Sequence, residues 1–187
     1  MVTSYYTING NLLLLMRRDM TISFKDFEET TDSQIKAIFA SIFILQNKLQ
    51  TACDKLQKDI TMKQWLLLAM TTSCQSPPTL TRLGELMGCS RQNVKKLALA
   101  LEKKGFLHIK QSESNASATC IILDGKVEEY IQQNNEIHIE TLSLLFRDFT
   151  TQEIEQLYKY VEKLFEGICR VEAYSKGVRE NAKEEEI

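Results

Sequence analysis

Apolar residues recur at intervals of three and four along most of this chain. Only between positions 106 and 123 do they form short runs bounded by glycine and polar residues. The first rhythm belongs to amphipathic helices and the second to strands. Ile35, Ile38, Phe39, Ile42, Leu45, Leu49, Ala52 and Leu56 outline one long helix, opened by a capping box at Thr31-Asp-Ser-Gln34 and running to about Leu56. Phe43 and Ile44 widen its apolar face, so it requires more than one neighbour. A second capping box, Thr61-Met-Lys-Gln64, starts a helix over 64–72 that is apolar nearly all round from Trp65 to Met70, the pattern of a central helix. After a loop holding Pro77-Pro78, a short helix over 79–87 presents Leu80, Leu83, Leu86 and Met87 to the core and ends at Gly88.

Ser90 is a good N-cap for a helix over 91–104 whose buried stripe is Val94, Leu97, Ala98 and Leu101. Its other side carries Gln92, Lys95, Lys96, Leu99 and Lys103, and Gly105 closes it. Residues 106–109 and 120–123 read as two strands joined by a polar loop over 111–118. Two short helices followed by a ribbon are the layout of a winged helix-turn-helix. Helix returns at Lys126 and is expected to run toward Phe146, with NNEIH as its weak point. A third capping box, Thr150-Thr-Gln-Glu153, introduces a last helix in which Leu157, Tyr160, Val161, Leu164, Ile168 and Val171 keep a near-heptad rhythm. Residues 11–20 fit a short helix or a core strand.

The fold class is therefore all-α with a small β wing. The expected organisation is an N-terminal extension at 1–30, a helical dimerisation region at 31–57 and 126–176, a winged lobe at 58–125 and a frayed, exposed tail at 177–187. The long apolar stripes lack partners within one small domain, and a homodimer built from the first and last long helices covers them most economically.

Composition narrows the picture. The chain has 187 residues, 43% of them apolar, and two prolines, which suits a folded domain with a sizeable core. The longest apolar run, 38–45, is far short of a membrane span, and MVTSYYTING has no signal-peptide pattern, so a cytoplasmic protein is expected. The cysteines at 53, 74, 89, 120 and 169 contain no CxxC pair. They read as reduced, mostly buried thiols, with redox sensing at Cys53 or Cys89 as the alternative. His108 and His138 have no spaced Cys, Asp or Glu set around them, and no glycine-rich phosphate loop is present. Neither metal, cofactor nor enzyme chemistry is supported.

The net charge of -2 hides an asymmetry. Between Ser76 and Lys110, Arg82, Arg91, Lys95, Lys96, Lys103, Lys104 and Lys110 face only Glu85 and Glu102, a local excess of +5. Local positive potential is what a duplex requires. Near the start of the 91–104 helix, Arg91 has the donors for a guanine edge and Gln92 or Asn93 the pairing geometry for adenine. Lys95 and Lys96 follow one turn on. Thr79, Thr81 and Arg82 at the preceding helix start are suited to phosphate, and Ser90, with Lys110 at the base of the wing, completes the expected DNA-binding set. Lys103 and Lys104 read equally well as ordinary solvated surface.

Ile60-Thr-Met-Lys-Gln-Trp-Leu, Leu80-Thr-Arg-Leu-Gly-Glu-Leu-Met-Gly-Cys-Ser-Arg-Gln-Asn-Val-Lys-Lys and Leu101-Glu-Lys-Lys-Gly-Phe-Leu resemble the MarR family of transcriptional regulators. The likeness runs from about Gln34 to Val171 and is strongest between Ile60 and Gly125. It implies a homodimer with interleaved terminal helices, a palindromic double-stranded operator and a repressor, often released by a small apolar or phenolic ligand and in some members by thiol oxidation. By position, Ser90, Arg91, Gln92, Asn93, Lys95 and Lys96 match the family's reading helix. The wing departs from the pattern: the family's Asp-x-Arg element is replaced by Gln111-Ser-Glu-Ser-Asn-Ala-Ser-Ala118, without any Lys or Arg, and Leu-Thr-x-x-Gly is reduced to Leu123-Asp-Gly125. This marks a divergent member. Phe39, Phe43, Trp65, Met70 and Cys74 are candidates to line an effector cavity, with ordinary core packing as the other reading. The barren wing leaves a rival function open, a dimeric winged-helix interaction protein that has lost specific DNA binding.

Overall fold

The computed structural model describes residues 30–112 and 118–184, with side chains up to Val178. Expectations for residues 1–29 and for the loop tip at 113–117, Glu113 included, lie outside the described residues. The chain forms two compact units, Met1–Gln132 and Gln133–Ile187. The architecture is mostly helical with one small antiparallel ribbon, a winged helix-turn-helix.

In the first unit α1 is Thr31–Leu56, α2 Met62–Thr72, α3 Leu80–Met87 and α4 Arg91–Lys103. Strands β1, Leu107–Gln111, and β2, Thr119–Leu123, pair antiparallel with Leu107 opposite Leu123 and Ile109 opposite Ile121, and α5 is Lys126–Gln133. The α2 capping box forms as the sequence predicts: Thr61 Oγ1 accepts from Gln64 N–H, and Gln64 Oε1 accepts from Thr61 N–H. The first box does not. Thr30 rather than Thr31 caps α1, accepting from Ser33 N–H, so the third helical residue is a serine and the reciprocal bond is lost. Two adjacent threonines make either one a plausible cap, and the sequence pattern alone cannot separate them.

The core of the lobe gathers Leu67 and Leu68 from α2, Leu80 and Leu83 from α3, and Val94, Ala98 and Leu101 from α4. Phe106, Leu107 and Ile121 close it from the ribbon, and Val127 and Tyr130 from α5. Phe106 meets Tyr130 edge to face at 5.5 Å. Lys126 lies 4.8 Å above the Phe106 ring and donates to Lys104 O at 2.7 Å.

One core expectation fails. Leu86 is 40% exposed, and the buried positions of α3 are Leu80, Leu83 and Gly84. Gly84 takes the inward place because a Cβ there would stand 2.7 Å from Cys89 O. The turn therefore presses onto the helix where a side chain would block it.

The ribbon is tied to the start of α3. Ile121 N–H donates to Pro78 O at 3.0 Å, and Thr79 forms an isolated antiparallel bridge with Cys120. Ile109 N–H donates to Glu102 Oε1 at 2.8 Å, fixing the ribbon to α4 as well.

The apolar stripe of α1 stays uncovered in the single chain: Phe39 is 65% and Phe43 56% exposed, their rings meeting edge to face at 5.3 Å. The second unit is α6, Asn135–Leu145, and α7, Thr151–Glu184. The helix expected from Lys126 to Phe146 is broken at Asn134, where φ is -105 and ψ 7, so NNEIH marks a real boundary. At Thr150 the predicted capping bonds form with Glu153, whose carboxyl is held below its ordinary range by the Thr150 backbone and side-chain donors. Helix α7 continues to Glu184, past the Gly177 where the sequence predicts its end. Ile137, Leu142, Leu145, Leu157, Leu164 and Ile168 are exposed in this unit.

Candidate nucleic-acid interface

The sharp turn between α3 and α4 is built by backbone geometry. Gly88 adopts φ 63, which lets Cys89 N–H return to Gly84 O at 2.9 Å and Gly88 N–H to Glu85 O at 3.3 Å. This closes α3 with a left-handed residue that only glycine adopts cheaply. Ser90 Oγ then accepts from Asn93 N–H at 3.2 Å and starts α4. Gly105, at φ 76, ends α4 in the same way, with Phe106 N–H returning to Leu101 O.

With Val94, Ala98 and Leu101 fixed inward, helical rotation of about 100° per residue sends Gln92, Lys96 and Lys103 outward. Lys95 falls on one flank and Asn93 on the other. Arg91, Gln92, Asn93, Lys95 and Lys96 are all exposed. Among the described residues Arg91, Lys95 and Lys96 have no ion pair. The helix N-terminus adds its own positive end.

The other sequence-predicted residues divide. Thr81 is exposed at the start of α3, whereas Thr79 is half-buried, its hydroxyl accepting from Arg82 N–H at 3.1 Å. Arg82 is exposed but already faces Glu85 at 3.3 Å. Lys110 is exposed on β1 beside the loop. Lys104 is committed to the lobe itself, donating to Asp59 O and Gln64 Oε1.

Of the five candidate effector residues, Phe39 and Phe43 lie on α1, Trp65 and Met70 on α2, and Cys74 just after it. Phe39 and Phe43 are exposed on α1, Trp65 and Met70 pack against the lobe core, and the Cys74 thiol donates to Met70 O at 3.2 Å. A cavity of about 570 Å³ lies elsewhere in the first unit. Leu49 of α1, Met62 and Leu66 of α2, Met87 at the turn and Leu97 of α4 supply its apolar wall. Gln46, Gln50 and Asn93 bring amides, Lys63 and Lys96 ammonium groups, and Cys89 a thiol. Sequence reading missed it because its walls come from three stretches, 46–50, 62–66 and 87–97, that no short motif spans.

The thiols also divide. Cys53 is buried, and desolvation, with Asp54 next to it, pushes its pKa up, which disfavours the reactive thiolate. Cys89 is half-buried at the cavity wall. His108 Nε2 faces Asp124 Oδ2 at 3.3 Å across the ribbon base. Among the described residues no helix is long and apolar enough to cross a membrane.

A tight turn, a capped second helix with its cations outward and a ribbon behind define a winged helix-turn-helix lobe. No protein-family model matches the sequence, and no curated protein matches it. Solved structures do match, and the fold is that of MarR-type regulators. A MarR/EmrR family transcriptional regulator from Acinetobacter sp. ADP1 superposes with a TM-score of 0.64 at 20% identity, over 72% of this chain and 96% of that one. The regulator BldR from Sulfolobus solfataricus gives 0.66 at 11% identity, over 74% and 99%. A MarR family regulator from Streptomyces coelicolor, solved in complex with DNA, gives 0.64 at 19% identity, over 74% and 89%.

Proposed function

We propose that this chain is a cytoplasmic, homodimeric transcriptional regulator that binds a palindromic double-stranded operator through α4 and acts as a repressor relieved by a small molecule. One observation carries the reading: Arg91, Lys95 and Lys96 stand exposed and unpaired on the first turns of a capped helix beside a tight turn. A helix so presented fits a major groove, with the preceding helix crossing the backbone. Arg91 and Gln92 then address base edges, and Lys95, Thr81 and the start of α3 address phosphate. The dimer is supported by the apolar faces of α1 and α7, which a single chain leaves in water.

The test is selection of fragments from the source genome, followed by a salt titration of the best one. Two phosphate-facing cations per subunit, Lys95 and Lys96, neutralise about four phosphates in the dimer and give a log–log slope near -4. Enrichment of specific fragments with that slope supports the reading. A flat salt response with no fragment enriched over bulk DNA ends it. A second reading is favoured by one feature, the absence of Lys and Arg from residues 111–118: a winged dimer that recognises another protein. It predicts a dimer that forms normally and ignores every fragment.

A further inference from the structure

We propose that one face of α7, the stripe Tyr160, Lys163, Gly167, Arg170 and Tyr174, is a docking surface for an acidic amphipathic helix of another protein. The five residues recur at intervals of three and four and so share one side of the helix. Rotation of about 100° per residue sets that side roughly a quarter of a turn round from Leu157, Leu164 and Ile168, the positions assigned to the dimer. Tyr160 is 52% and Tyr174 75% exposed, so neither ring is packed into its own chain. Lys163 Nζ stands 5.9 Å over the Tyr160 ring. Arg170 Nη2 lies 3.7 Å from where a Cβ of Gly167 would stand, so the glycine leaves room for the guanidinium to lie against the helix between the two tyrosines. Among the described residues neither cation is held in an ion pair.

Charge selects the occupant. A second copy laid stripe to stripe sets cation on cation: like residue on like when parallel, Lys163 near Arg170 when antiparallel about Gly167. Duplex DNA is opposed by the rest of the helix. Between Thr151 and Val178 five glutamates stand against Lys159, Lys163, Arg170 and Lys176, and Glu162 and Glu166 flank the stripe. A helix with carboxylates two turns apart and an apolar residue midway answers every feature. Its carboxylates meet Lys163 and Arg170, and its apolar residue packs between the tyrosine rings. Tyrosine and arginine are among the residue types that carry most of the energy at such interfaces.

The experiment uses the full-length protein without DNA. The probe is a fluorescein-labelled, alanine-rich helical peptide of about 20 residues with glutamates two helical turns apart and a leucine midway. Its twin has glutamine in place of glutamate. Fluorescence anisotropy is expected to show saturable binding of the glutamate peptide, about tenfold tighter than its twin. Lys163→Gln and Arg170→Gln each weaken the glutamate peptide about threefold, and together they erase its advantage, while the twin is unchanged. Tyr174→Ala weakens both peptides about tenfold. Gly167→Leu displaces the guanidinium and also weakens both; leucine is the better helix former, so that loss cannot come from unfolding.

Equal affinity for the two peptides, no saturable binding of either, or wild-type affinity in the Lys163→Gln, Arg170→Gln double variant overturns the proposal. A random-sequence duplex that displaces the bound peptide and is held more tightly by the wild type than by the double variant gives the stripe to nucleic acid and overturns it too. So does a dimer that loosens in the double variant while the peptide fails to bind, which gives the stripe to a second copy. Peptide binding by a protein that ignores genomic fragments retains the stripe and discards the regulator reading. Specific DNA binding without peptide binding does the reverse.

Discussion

Gly84 carries more of the architecture than its lack of a side chain suggests. Its carbonyl accepts from Cys89 N–H, and the space where a Cβ would stand is taken by Cys89 O at 2.7 Å. The atom in the way is backbone, so relief requires the turn to open. Gly84→Ala is expected to cost about 1–3 kcal/mol in urea unfolding. Gly88→Ala, with open space but φ 63, costs about 1–2 kcal/mol from the left-handed backbone alone. Periodicity explains why Leu86 reads inward in place of Gly84: it scores apolar side chains and is blind to a position that is buried because it lacks one. At Cys53 the raised pKa leaves less thiolate at any given pH, so alkylation must be slow in the folded protein. N-ethylmaleimide labelling at pH 8 followed by peptide mass analysis should find Cys53 unmodified when folded and modified in urea. Rapid folded-state labelling would restore it as a redox candidate.

Elements were legible where two local signals coincided. Thr61 with Gln64 and Thr150 with Glu153 each flank an apolar run, and both caps form. Ser90 follows a glycine stop and precedes the α4 stripe, and it caps as expected. Helix α4 was therefore visible in the sequence, its exposed cations included. The cavity behind it was not, because it exists only once α1, α2 and α4 pack together. Ser90→Ala should lower stability by about 1 kcal/mol and weaken DNA binding more than that figure implies, since the cap sets the first turn that carries Arg91 and Gln92. At the other end of the ribbon, Asp124 accepts from Lys126 N–H at 3.1 Å and faces His108. The Lys126 backbone bond, foremost, holds its carboxyl below the usual range. A depressed folded pKa means stability present above the unfolded value, about 4, and lost as pH falls through the folded one. Wild type and Asp124→Asn should therefore differ most in melting temperature at neutral pH and converge in acid. A gap that persists unchanged to pH 2 would refute this.

At the scale of the molecule, α1 and α7 place Ile38, Phe39, Ile42, Leu157, Leu164 and Ile168 in water. The proposed dimer would remove them from it. Sedimentation equilibrium should find a dimer at micromolar concentration, and Leu157→Glu should raise its dissociation constant about 30-fold, equivalent to ~2 kcal/mol. Wild-type protein that sediments as a monomer contradicts the assembly. The repeat of apolar positions in these helices announced that something must cover them. What covers them was not legible, because a stripe specifies burial and neither the partner nor its direction.

The bridge of Thr79 to Cys120, with Ile121 N–H on Pro78 O, turns the segment ahead of α3 into a third, one-residue rung beside the hairpin. The hairpin is consequently no free antenna. The tether ends at Thr79, the N-cap of α3, whose hydroxyl accepts from Arg82 N–H. On the proposed function, a hairpin whose residues 111–118 include no Lys or Arg contributes as a strut that seats the start of α3 rather than as a contact of its own.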